Sequence, residues 1–483
     1  MTSSEIDLSR SAVEQALAAG ADGADARVLS TTTEQIAVET GRLASAMLDE
    51  STGIGVRVQV DGVLGFASGD DLSREGVRTI VRRAIDLARA GGPQQRVRLA
   101  GRPAAVGRWS TPFEEDPATI PFGDKADLLL AADATARAIA GVTATRLDLG
   151  WRREEKVYAD SDGSLVEQVL RSIGAGMEVY ATRGSERQRR SFPDSRGGRW
   201  VGGGWEFLRS LDLPGNAARI AEEAVELLDA PVCPSGATTV VIDPSQLYQQ
   251  IHESCGHAFE GDRILGDEAA YAGTSFVTPD MVREGFRYGS ELVTLVADAT
   301  APGGLGSFGW DDEGVAARRV PLVEAGRMTG LLTSRAAADD LGLPPGGHVR
   351  AETWSRMPMI RMTNINLEPV PGHGLDDIIA DTDRGLYLST NKSWSIDDRR
   401  WSFQFGTEVA REIRGGELGR LYRNPTYAGT TVDFWRSCDL VGDASSHVMY
   451  GSPNCSKGMP AQAGYVGHGS PVARFRDVEV YGA

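Results

Sequence analysis

The sequence predicts an α+β fold, in which N-terminal α+β layers, with helices on mixed or antiparallel sheets, precede a β-rich, barrel-like C-terminal domain. Up to about residue 230, amphipathic helix patterns and alternating strand patterns follow one another along the chain. From Ala237 onward, short apolar strands are separated by glycine and asparagine turns. Nearly the only strong helical pattern of this second part follows Asp243, so we expect one helix packed on the β-rich domain.

The first segment predicts a helix, a set of strands and a second helix. An amphipathic helix is expected within residues 1–20. Val56–Val60 alternates apolar and polar residues, Asp61-Gly62 is typical of a type I′ turn, and Val63–Ala67 forms the returning strand. Apolar residues recur on one helical face over Ser73–Ala90. This segment therefore forms an α+β unit.

The central segment repeats this plan loosely. The proline-rich stretch 101–122 is expected to connect the two units. An alanine-rich helix over 125–139 is followed by strands on both sides of the turn Asp160–Gly163. A further alternating strand spans 174–181, and a second helix spans 216–228. The recurrence predicts two similar α+β layers, and leaves open whether they arose by duplication.

These patterns divide the chain into an N-terminal α+β unit (1–116), a central α+β unit (117–232) and a β-rich C-terminal domain (233–483). The first two units can also form one domain. Within the central unit, Arg187–Arg190 and Gly202–Gly204 are expected to be mobile loops. The glycine run lacks both the Gly-Lys-Ser/Thr sequence and the strand-to-helix context of a phosphate-binding loop.

Composition excludes several classes of protein. A net charge of −17 argues against nucleic acid as the main partner, because phosphate binding needs a concentrated positive field. No apolar run approaches the ~18 residues of a membrane span, and the N-terminus lacks the apolar core of a signal peptide. The four cysteines are too few and too scattered for a disulfide framework, which favours a cytoplasmic protein.

The most informative motif is His252-Glu253-Ser254-Cys255-Gly256-His257, which places two of the six histidines around a glutamate. It follows a predicted strand over 238–242 and a helix start with Asp243 as N-cap and Pro244 at the first position. The side chains expected to face inward are Leu247, Tyr248, Ile251, Cys255 and Phe259. Two imidazoles beside a carboxylate are what a hydrolytic zinc site needs.

The spacing of the two histidines constrains the backbone. In a regular helix, residues five positions apart point roughly 140° away from each other, too far to share one ion. The motif can bind a metal only if the helix is locally widened by a π-bulge or broken at Gly256, where a glycine tolerates unusual backbone angles. We therefore expect a distorted turn at this point.

Two histidines leave a zinc site incomplete, since a third protein ligand and an open position are needed. Spacing alone does not choose the third ligand among the remaining candidates, which are Cys233, Cys255, Cys438, Cys455, His447, His468, Glu260 and Asp262. Cys255 is more typical of a core residue, because it lies on the motif helix itself. The four histidines outside the motif, which are His348, His373, His447 and His468, have the usual pattern of isolated loop histidines.

The motif helix and several later segments resemble the TldD/PmbA metallopeptidase family over essentially the whole chain. The segments that carry the resemblance are Ile251–His257, Asp267–Phe276, Asp311–Gly314, Arg361–Pro369, Asn391–Asp397, Asn424–Tyr427 and Pro453–Gly458. TldD-type members keep the His-Glu-x-x-x-His helix, whereas their PmbA (TldE) partners have lost it. This chain keeps it and so resembles the catalytic, TldD-type member.

The resemblance implies a site and an activity. The metal ligands would be His252, His257 and Cys455, with Glu253 as the general base and one Zn²⁺ in each catalytic subunit. The substrate would be an unfolded or small peptide, enclosed by a heterodimer with a PmbA/TldE-type subunit or by a homodimer. Neither nucleic acid nor membrane is implied as a partner. We expect the peptide to add as a strand to an edge of the C-terminal sheet, with Arg361–Leu367 as the candidate edge.

Two alternatives remain open at this stage. The protein could bind peptides or regulate a partner without hydrolysis, with a structural metal that has four protein ligands. It could also be a cysteine peptidase that uses Cys255, although its histidine would then come from the same helical turn.

Overall fold

The structure is a computed structural model that describes residues 3–195, 197–271 and 273–482. Met1 and Thr2 of the predicted N-terminal helix and Ala272 of the family-like motif 267–276 lie outside the described residues. The α-helices are α1 Ser3–Ala18, α2 Arg74–Ala90, α3 Phe122–Arg137, α4 Trp205–Leu211, α5 Leu213–Asp229, α6 Pro244–Ile251, α7 Gly261–Leu265, α8 Pro279–Arg283, α9 Arg335–Leu341, α10 Leu375–Ala380 and α11 Thr431–Arg436.

The β-strands of the first half belong largely to two long antiparallel hairpins. They are β1 Gly23–Glu39, β2 Arg42–Val60, β3 Val63–Gly69, β4 Val106–Ser110, β5 Val142–Asp160, β6 Leu165–Arg183, β7 Glu186–Phe192 and β8 Arg199–Val201.

The strands of the second half are shorter and more numerous. They are β9 Gly236–Ile242, β10 Leu295–Asp298, β11 Arg319–Glu324, β12 Arg327–Met328, β13 Val349–Arg350, β14 Met359–Ile360, β15 Ile365–Leu367, β16 Arg384–Ile396, β17 Ser402–Arg414, β18 Glu417–Tyr422, β19 Pro425–Thr430, β20 Cys438–Val441, β21 Val448–Lys457, β22 Gln462–Ser470 and β23 Ala473–Gly482.

The first two units share one large sheet. Its strand order is β22-β21-β8-β6-β5-β1-β2-β3, and β4 and β7 also pair with β6. Helices α1 and α2 cover one part of this sheet with a core of small and β-branched residues, and α3 and α5 cover another. The predicted turn at Asp61-Gly62 is present, with positive φ angles at both residues, as a type I′ turn requires.

The two halves of this sheet repeat one order of elements. Helix, two long strands, a short strand and a helix occur as α1-β1-β2-β3-α2 and again as α3-β5-β6-β7-α5, where α4 and β8 precede the last helix. The predicted recurrence of two similar layers is thus present in the element order.

The C-terminal domain is built on a small closed barrel. Strands β16, β9, β23, β19 and β17 pair in that order, and β17 pairs back with β16 to close the ring. Apolar side chains of the barrel form one core with those of α6. The predicted α+β class with a barrel-like C-terminal domain is confirmed.

Two strands of the C-terminal part leave the barrel and join the large N-terminal sheet. β21 pairs with β22 along most of its length and with β8 at Gly451, which lies opposite Trp200. Because β21 crosses to the large sheet, its residue Cys455 lies close to the end of α6. The two sheets therefore meet at the motif helix, which the sequence patterns did not predict.

The loop predicted at Arg187–Arg190 in the central segment is wrong. Arg187–Arg190 lies within β7, which pairs with β6, because the carboxylate of Glu408 (1% exposed) accepts hydrogen bonds from Arg189 (2.8 Å) and Arg190 (2.9 Å). The connection 101–122 contains strand β4, which pairs in parallel with β6. In the described part of the chain, no helix combines the length and apolarity needed to span a bilayer.

Candidate metal centre

Helix α6 begins as the sequence predicts. The Asp243 carboxylate accepts a hydrogen bond from the Ser245 amide at 2.9 Å, and Pro244 occupies the first turn. The predicted inward residues are all buried, but so is every other residue of Pro244–Ile251. The helix is therefore held on all sides, which fixes the direction in which the following histidines project.

The turn after α6 is a π-helix over His252–Gly256, as the spacing of the histidines requires. The His257 amide donates to the His252 carbonyl, so an i→i+5 hydrogen bond joins the two histidines themselves. Their ring centroids lie 4.8 Å apart. The local widening brings both imidazoles to the same side of the helix.

The prediction that Gly256 is needed for unusual backbone angles is wrong. Gly256 has φ −60° and ψ −66°, an ordinary right-handed conformation that any residue adopts. A Cβ at this position would instead lie 2.1 Å from the sulfur of Met362. Glycine is needed here because the Met362 side chain packs directly against the π turn.

Strand β21 supplies a third donor to the histidine pair. Cys455 Sγ lies 3.6 Å from His257 Nε2, and the donor atoms of His252, His257 and Cys455 all lie within 4.8 Å of one another. Zinc bonds of about 2.0–2.3 Å in a tetrahedral site place neighbouring ligand atoms roughly 3.3–3.6 Å apart. The distance between Cys455 and His257 matches this spacing, and the three buried side chains lie close enough together to share one ion.

Each histidine is oriented by a second side chain. His252 Nδ1 lies 2.8 Å from His468 Nε2, and His257 Nδ1 lies 2.9 Å from a carboxylate oxygen of Glu260. With both Nδ1 atoms engaged, the Nε2 atoms are the ones available to a metal. His468 and Glu260, two of the candidates for the third ligand, thus lie behind the histidines.

The electrostatics of the site keep the donors in metal-binding forms. Burial lowers the pKa of His252 and of His257, and it holds the pKa of His468 well below its usual value. Burial raises the pKa of the Cys455 thiol, but the charge of Arg361 and the contact with His257 outweigh it, so the pKa is lowered. Two neutral imidazoles and a thiol poised to ionise are suitable zinc donors.

A buried ion-pair cluster stabilises the carboxylate behind His257. Arg263 Nε donates to Glu260 at 2.7 Å, and Lys457 Nζ lies 3.3 Å from its other oxygen. Although burial raises the pKa of Glu260, the charges of Lys457, His257 and Arg263 hold it well below the usual value. Asp262, another candidate ligand, is bound by Lys457 at 2.7 Å.

Glu253 lies next to the donor set in a defined hydrogen-bond environment. Its Oε2 accepts from Arg400 Nη1 at 2.7 Å, and its Oε1 accepts from Gln249 Nε2 at 3.3 Å. Its side chain is 7% exposed. The sequence analysis did not single out Arg400, which lies three residues after the family-like segment Asn391–Asp397, where the β16–β17 hairpin turns.

The other cysteines and histidines do not join this donor group among the described residues. Cys255 is fully buried against Ser254 and Tyr288, and burial raises its pKa to about 12, so it is a core residue as expected. Burial also raises the pKa of Cys233 and Cys438. A cysteine-peptidase mechanism that uses Cys255 therefore lacks an activated nucleophile, because burial keeps this thiol protonated.

The donor set opens onto a cleft of about 660 Å³. One wall is Gly451–Ser456 of β21, and another is formed by Trp394–Ile396 of β16 together with Arg400. Beyond Gly451, β21 pairs only with β22 in the described part of the chain, so its other edge is available to the cleft. Strand β15 (Ile365–Leu367) of the predicted edge is the last strand of the sheet β12-β11-β10-β15, but no residue of Arg361–Leu367 lines the cleft.

The chain is similar throughout its length to known metallopeptidase domains. Residues 24–88, 115–230 and 235–482 match family models described as PmbA/TldA metallopeptidase domain 1, central domain and C-terminal domain. A metalloprotease from Methanothermobacter thermautotrophicus is 30% identical, with 95% of each chain covered. A metalloprotease TldD homolog from Haemophilus influenzae is 26% identical over 93% of this chain and 90% of its own.

Two further similarities bear on the site and on the fold. A zinc metalloprotease TldD homolog from Saccharolobus solfataricus is 24% identical over 56% of this chain and 58% of its own. The crystal structure of TldE from Thermococcus kodakarensis superimposes with a TM-score of 0.74 at 18% identity, covering 99% of this chain and all of that one. The second similarity shows that the two proteins share a fold.

Proposed function

The chain belongs to the PmbA/TldD metallopeptidase family, and we propose that it is a zinc-dependent, TldD-type peptidase that hydrolyses unfolded or small peptides. One observation carries the proposal. Two imidazoles and a thiol converge within 4.8 Å beside the Glu253 carboxylate, at the wall of a large cleft. The names of the metalloprotease relatives support the same reaction class.

In this proposal His252 and His257 hold the ion through Nε2, and Cys455 holds it through Sγ. Two imidazoles and a thiolate are donors that zinc prefers, and the name of the Saccharolobus relative supports this choice of metal. When bound, zinc supplies Lewis-acid polarisation of the scissile carbonyl and lowers the pKa of water. Three protein donors, rather than the four typical of a structural zinc, support a hydrolytic site over the non-hydrolytic alternative.

We assign Glu253 as the general base and acid of the reaction. Its Oε2 is engaged by Arg400 at 2.7 Å, so Oε1, with a longer 3.3 Å contact to Gln249, is the atom that takes up a proton from the attacking water. The same oxygen then delivers that proton to the leaving amine. Arg400 acts as a positioning residue that fixes the carboxylate plane.

The free edge of β21 is the proposed binding site for the peptide main chain. Ser452–Ser456 lines the cleft beside Cys455, and a strand added there would pair with the main chain and require little of the peptide sequence. This placement replaces the buried Arg361–Leu367 edge. An extended chain at β21 would pass directly over the proposed metal ligands.

The oligomeric state and the cellular site belong to the same proposal. We propose a dimer, either with a PmbA/TldE-type subunit or of two identical chains, and the shared fold with TldE supports a partner of that kind. We propose a cytoplasmic enzyme without nucleic-acid or membrane partners, and the net charge of −17 supports the first exclusion. The division of the chain at residues 116/117 and 232/233 is proposed as well.

The test compares the wild type with Glu253→Gln. Metal content is measured by mass spectrometry, and cleavage is followed by chromatography of a mixture of short unfolded peptides. We expect both proteins to bind one zinc ion per catalytic subunit, and the variant to lose about 10²–10⁴-fold in kcat/KM. Cys255→Ala is the matched control, and we expect it to retain both zinc and activity. Full activity of Glu253→Gln would refute the assigned base.

A further inference from the structure

A second cavity lies between the large N-terminal sheet and the C-terminal domain. It measures about 60 Å³ and shares no lining residue with the cleft at the metal centre. Strands β5 and β6 contribute Arg152, Lys156 and Arg171 to its wall, and the C-terminal domain contributes Arg350 and Arg361. The cavity is thus lined by cations from both halves of the molecule, and the C-terminal wall also contributes one carboxylate, Glu352.

Two of these cations are neutralised by carboxylates. Arg152 donates to Glu154 at 3.0 Å, and Lys156 lies 3.1 Å from Glu154 and 2.6 Å from Asp312. Arg171 is more distant from its acidic neighbour, with 3.6 Å to Asp116. The positive charge that remains is on the C-terminal wall.

Arg350 and Arg361 have no carboxylate partner among the described residues. Their guanidinium groups donate instead to main-chain carbonyls, which belong to Met362, Tyr465, Cys455 and Gln462. The Nε atom of each is buried without a hydrogen-bond partner in the described part of the chain. Arg361 is only 2% exposed.

Such an arrangement is unfavourable for the protein alone. A buried cation is normally paired, because neutral carbonyls replace only part of the hydration free energy that it loses. Burial together with the nearby charge of Arg361 lowers the pKa of Arg350 to about 10. Two guanidinium groups that repel each other at a cavity wall would be stabilised by a negative charge between them.

We propose that this cavity binds a small oxyanion, of phosphate or carboxylate type, between the guanidinium groups of Arg350 and Arg361. The planar fork of N–H donors on arginine matches the oxygens of such anions. A volume of about 60 Å³ admits a small anion or a few waters, since one water needs roughly 10–15 Å³ on this scale. Larger phosphorylated metabolites do not fit.

The bound anion would link the two halves of the molecule. It would contact arginines of the C-terminal domain while facing Arg152 and Lys156 on the N-terminal sheet. Because Arg361 donates to the Cys455 carbonyl, the anion would also hold β21 beside the metal centre. The site does not depend on the proposed peptidase activity.

The test is thermal unfolding of the full chain in millimolar sodium phosphate, sodium acetate or sodium chloride at equal ionic strength. We expect a saturable rise of Tm by a few degrees with phosphate or acetate, because a ligand that binds only the folded state stabilises it. The more effective of the two identifies the type of oxyanion. Equal Tm values in all three salts would overturn the proposal.

Variants assign the response to the cavity. Arg350→Met should abolish the anion-dependent rise, and Arg98→Met, whose side chain is 87% exposed, should keep it. An anion bound at the metal centre would still raise the Tm of Arg350→Met. An unchanged rise of Tm in that variant would therefore contradict the proposal. If Arg350→Met does not fold, Ser172→Asp places a carboxylate in the cavity wall and should remove the response. Persistence of the response in Ser172→Asp would also contradict it.

Discussion

At the scale of single residues, the candidate centre depends on the partners that hold each donor. The Nδ1 atoms of His252 and His257 contact His468 and Glu260, respectively, which orients the two rings. Cys455 lies on a strand, and its main-chain carbonyl accepts a hydrogen bond from Arg361. These interactions determine which nitrogen of each ring is free. The geometry of the donor set is thus largely a property of residues that do not bind the metal themselves.

His468→Phe tests this dependence. The variant keeps an aromatic ring at position 468 but leaves His252 Nδ1 without its partner at 2.8 Å. Loss of such an outer partner weakens zinc binding by about 10–100-fold, and we expect a decrease of this size in competition with a chelator. The control is His373→Phe, an exposed histidine, which should bind zinc as the wild type does. Unchanged affinity in His468→Phe would show that His252 is oriented without it.

Arg400→Met tests the position of the base. Without the 2.7 Å bond from Arg400, Glu253 loses the group that fixes its carboxylate, and we expect kcat to fall about 10–100-fold at unchanged zinc content. The neighbouring Arg399 is exposed, so Arg399→Met is the matched control and should retain full kcat. Equal peptide-cleavage rates for the two variants would remove Arg400 from the mechanism.

The sequence contains part of this information at residue scale. The pair His252 and His257 with Glu253 is evident from its spacing, whereas Cys455 follows only from the family resemblance. A separation of 198 residues from His257 gives no local signal for the third donor. His468 and Glu260 are recognisable as candidates, but only the fold decides that they lie behind the histidines.

At the scale of elements, one π turn makes the centre possible. The i→i+5 bond between His257 and His252 was predicted from the spacing, since a regular helix would separate the rings. Long-range packing determined what the sequence did not predict. The packing of Met362 against the π turn explains why residue 256 is a glycine. The hydrogen bond to buried Glu408 holds the arginine-rich segment around Arg190 in a strand.

Gly256→Ala tests the packing of the π turn. In an exposed helix this change stabilises by up to about 1 kcal/mol, but here the new methyl meets Met362 and should destabilise by about 1–3 kcal/mol. Denaturant unfolding and zinc content are measured, and the loss caused by Gly256→Ala should be smaller in a Met362→Ala background than in the wild type. Gly123→Ala in α3, where a Cβ meets nothing within 4 Å, is the control and should be neutral or stabilising. A stabilised Gly256→Ala would contradict the packing argument.

At the scale of the whole molecule, the two halves are joined by buried charges. Asp312, which is fully buried, binds Arg27 of β1 at 3.0 Å and Lys156 of β5 at 2.6 Å. Strands β21 and β22 join the same sheet from the other side. The sequence predicts the α+β class and the barrel. It does not predict that β21 and β22 pair with the N-terminal sheet, because strand pairing between distant segments leaves no pattern within either segment.

Asp312→Asn tests this connection. Arg27 would lose its carboxylate partner and Lys156 would keep only Glu154 at 3.1 Å, so we expect the free energy of unfolding to fall by about 3–5 kcal/mol in denaturant titrations. Lys156, Arg27 and the Ala351 amide overcome the effect of burial and lower the pKa of Asp312 to about 2 in the folded state. Its contribution is therefore fully present above the unfolded pKa of about 4 and is lost as the pH falls to about 2.

The difference between wild type and Asp312→Asn should accordingly shrink over that acidic window and stay constant above it. Glu75→Gln removes an exposed partner of Arg78 and serves as the control, with an expected change below about 0.5 kcal/mol. A stability difference between wild type and Asp312→Asn that grows as the pH falls from 4 to 2 would contradict the assignment.

The proposed zinc centre is tested most directly by X-ray absorption spectroscopy at the zinc edge, on the wild type and on Cys455→Ser. For the wild type we expect one sulfur at about 2.3 Å and lighter atoms, two of them imidazole nitrogens, at about 2.0–2.1 Å. The sulfur shell should be lost in Cys455→Ser. A wild-type spectrum without zinc-bound sulfur, or a sulfur shell that persists in Cys455→Ser, would contradict the shared His252, His257 and Cys455 site.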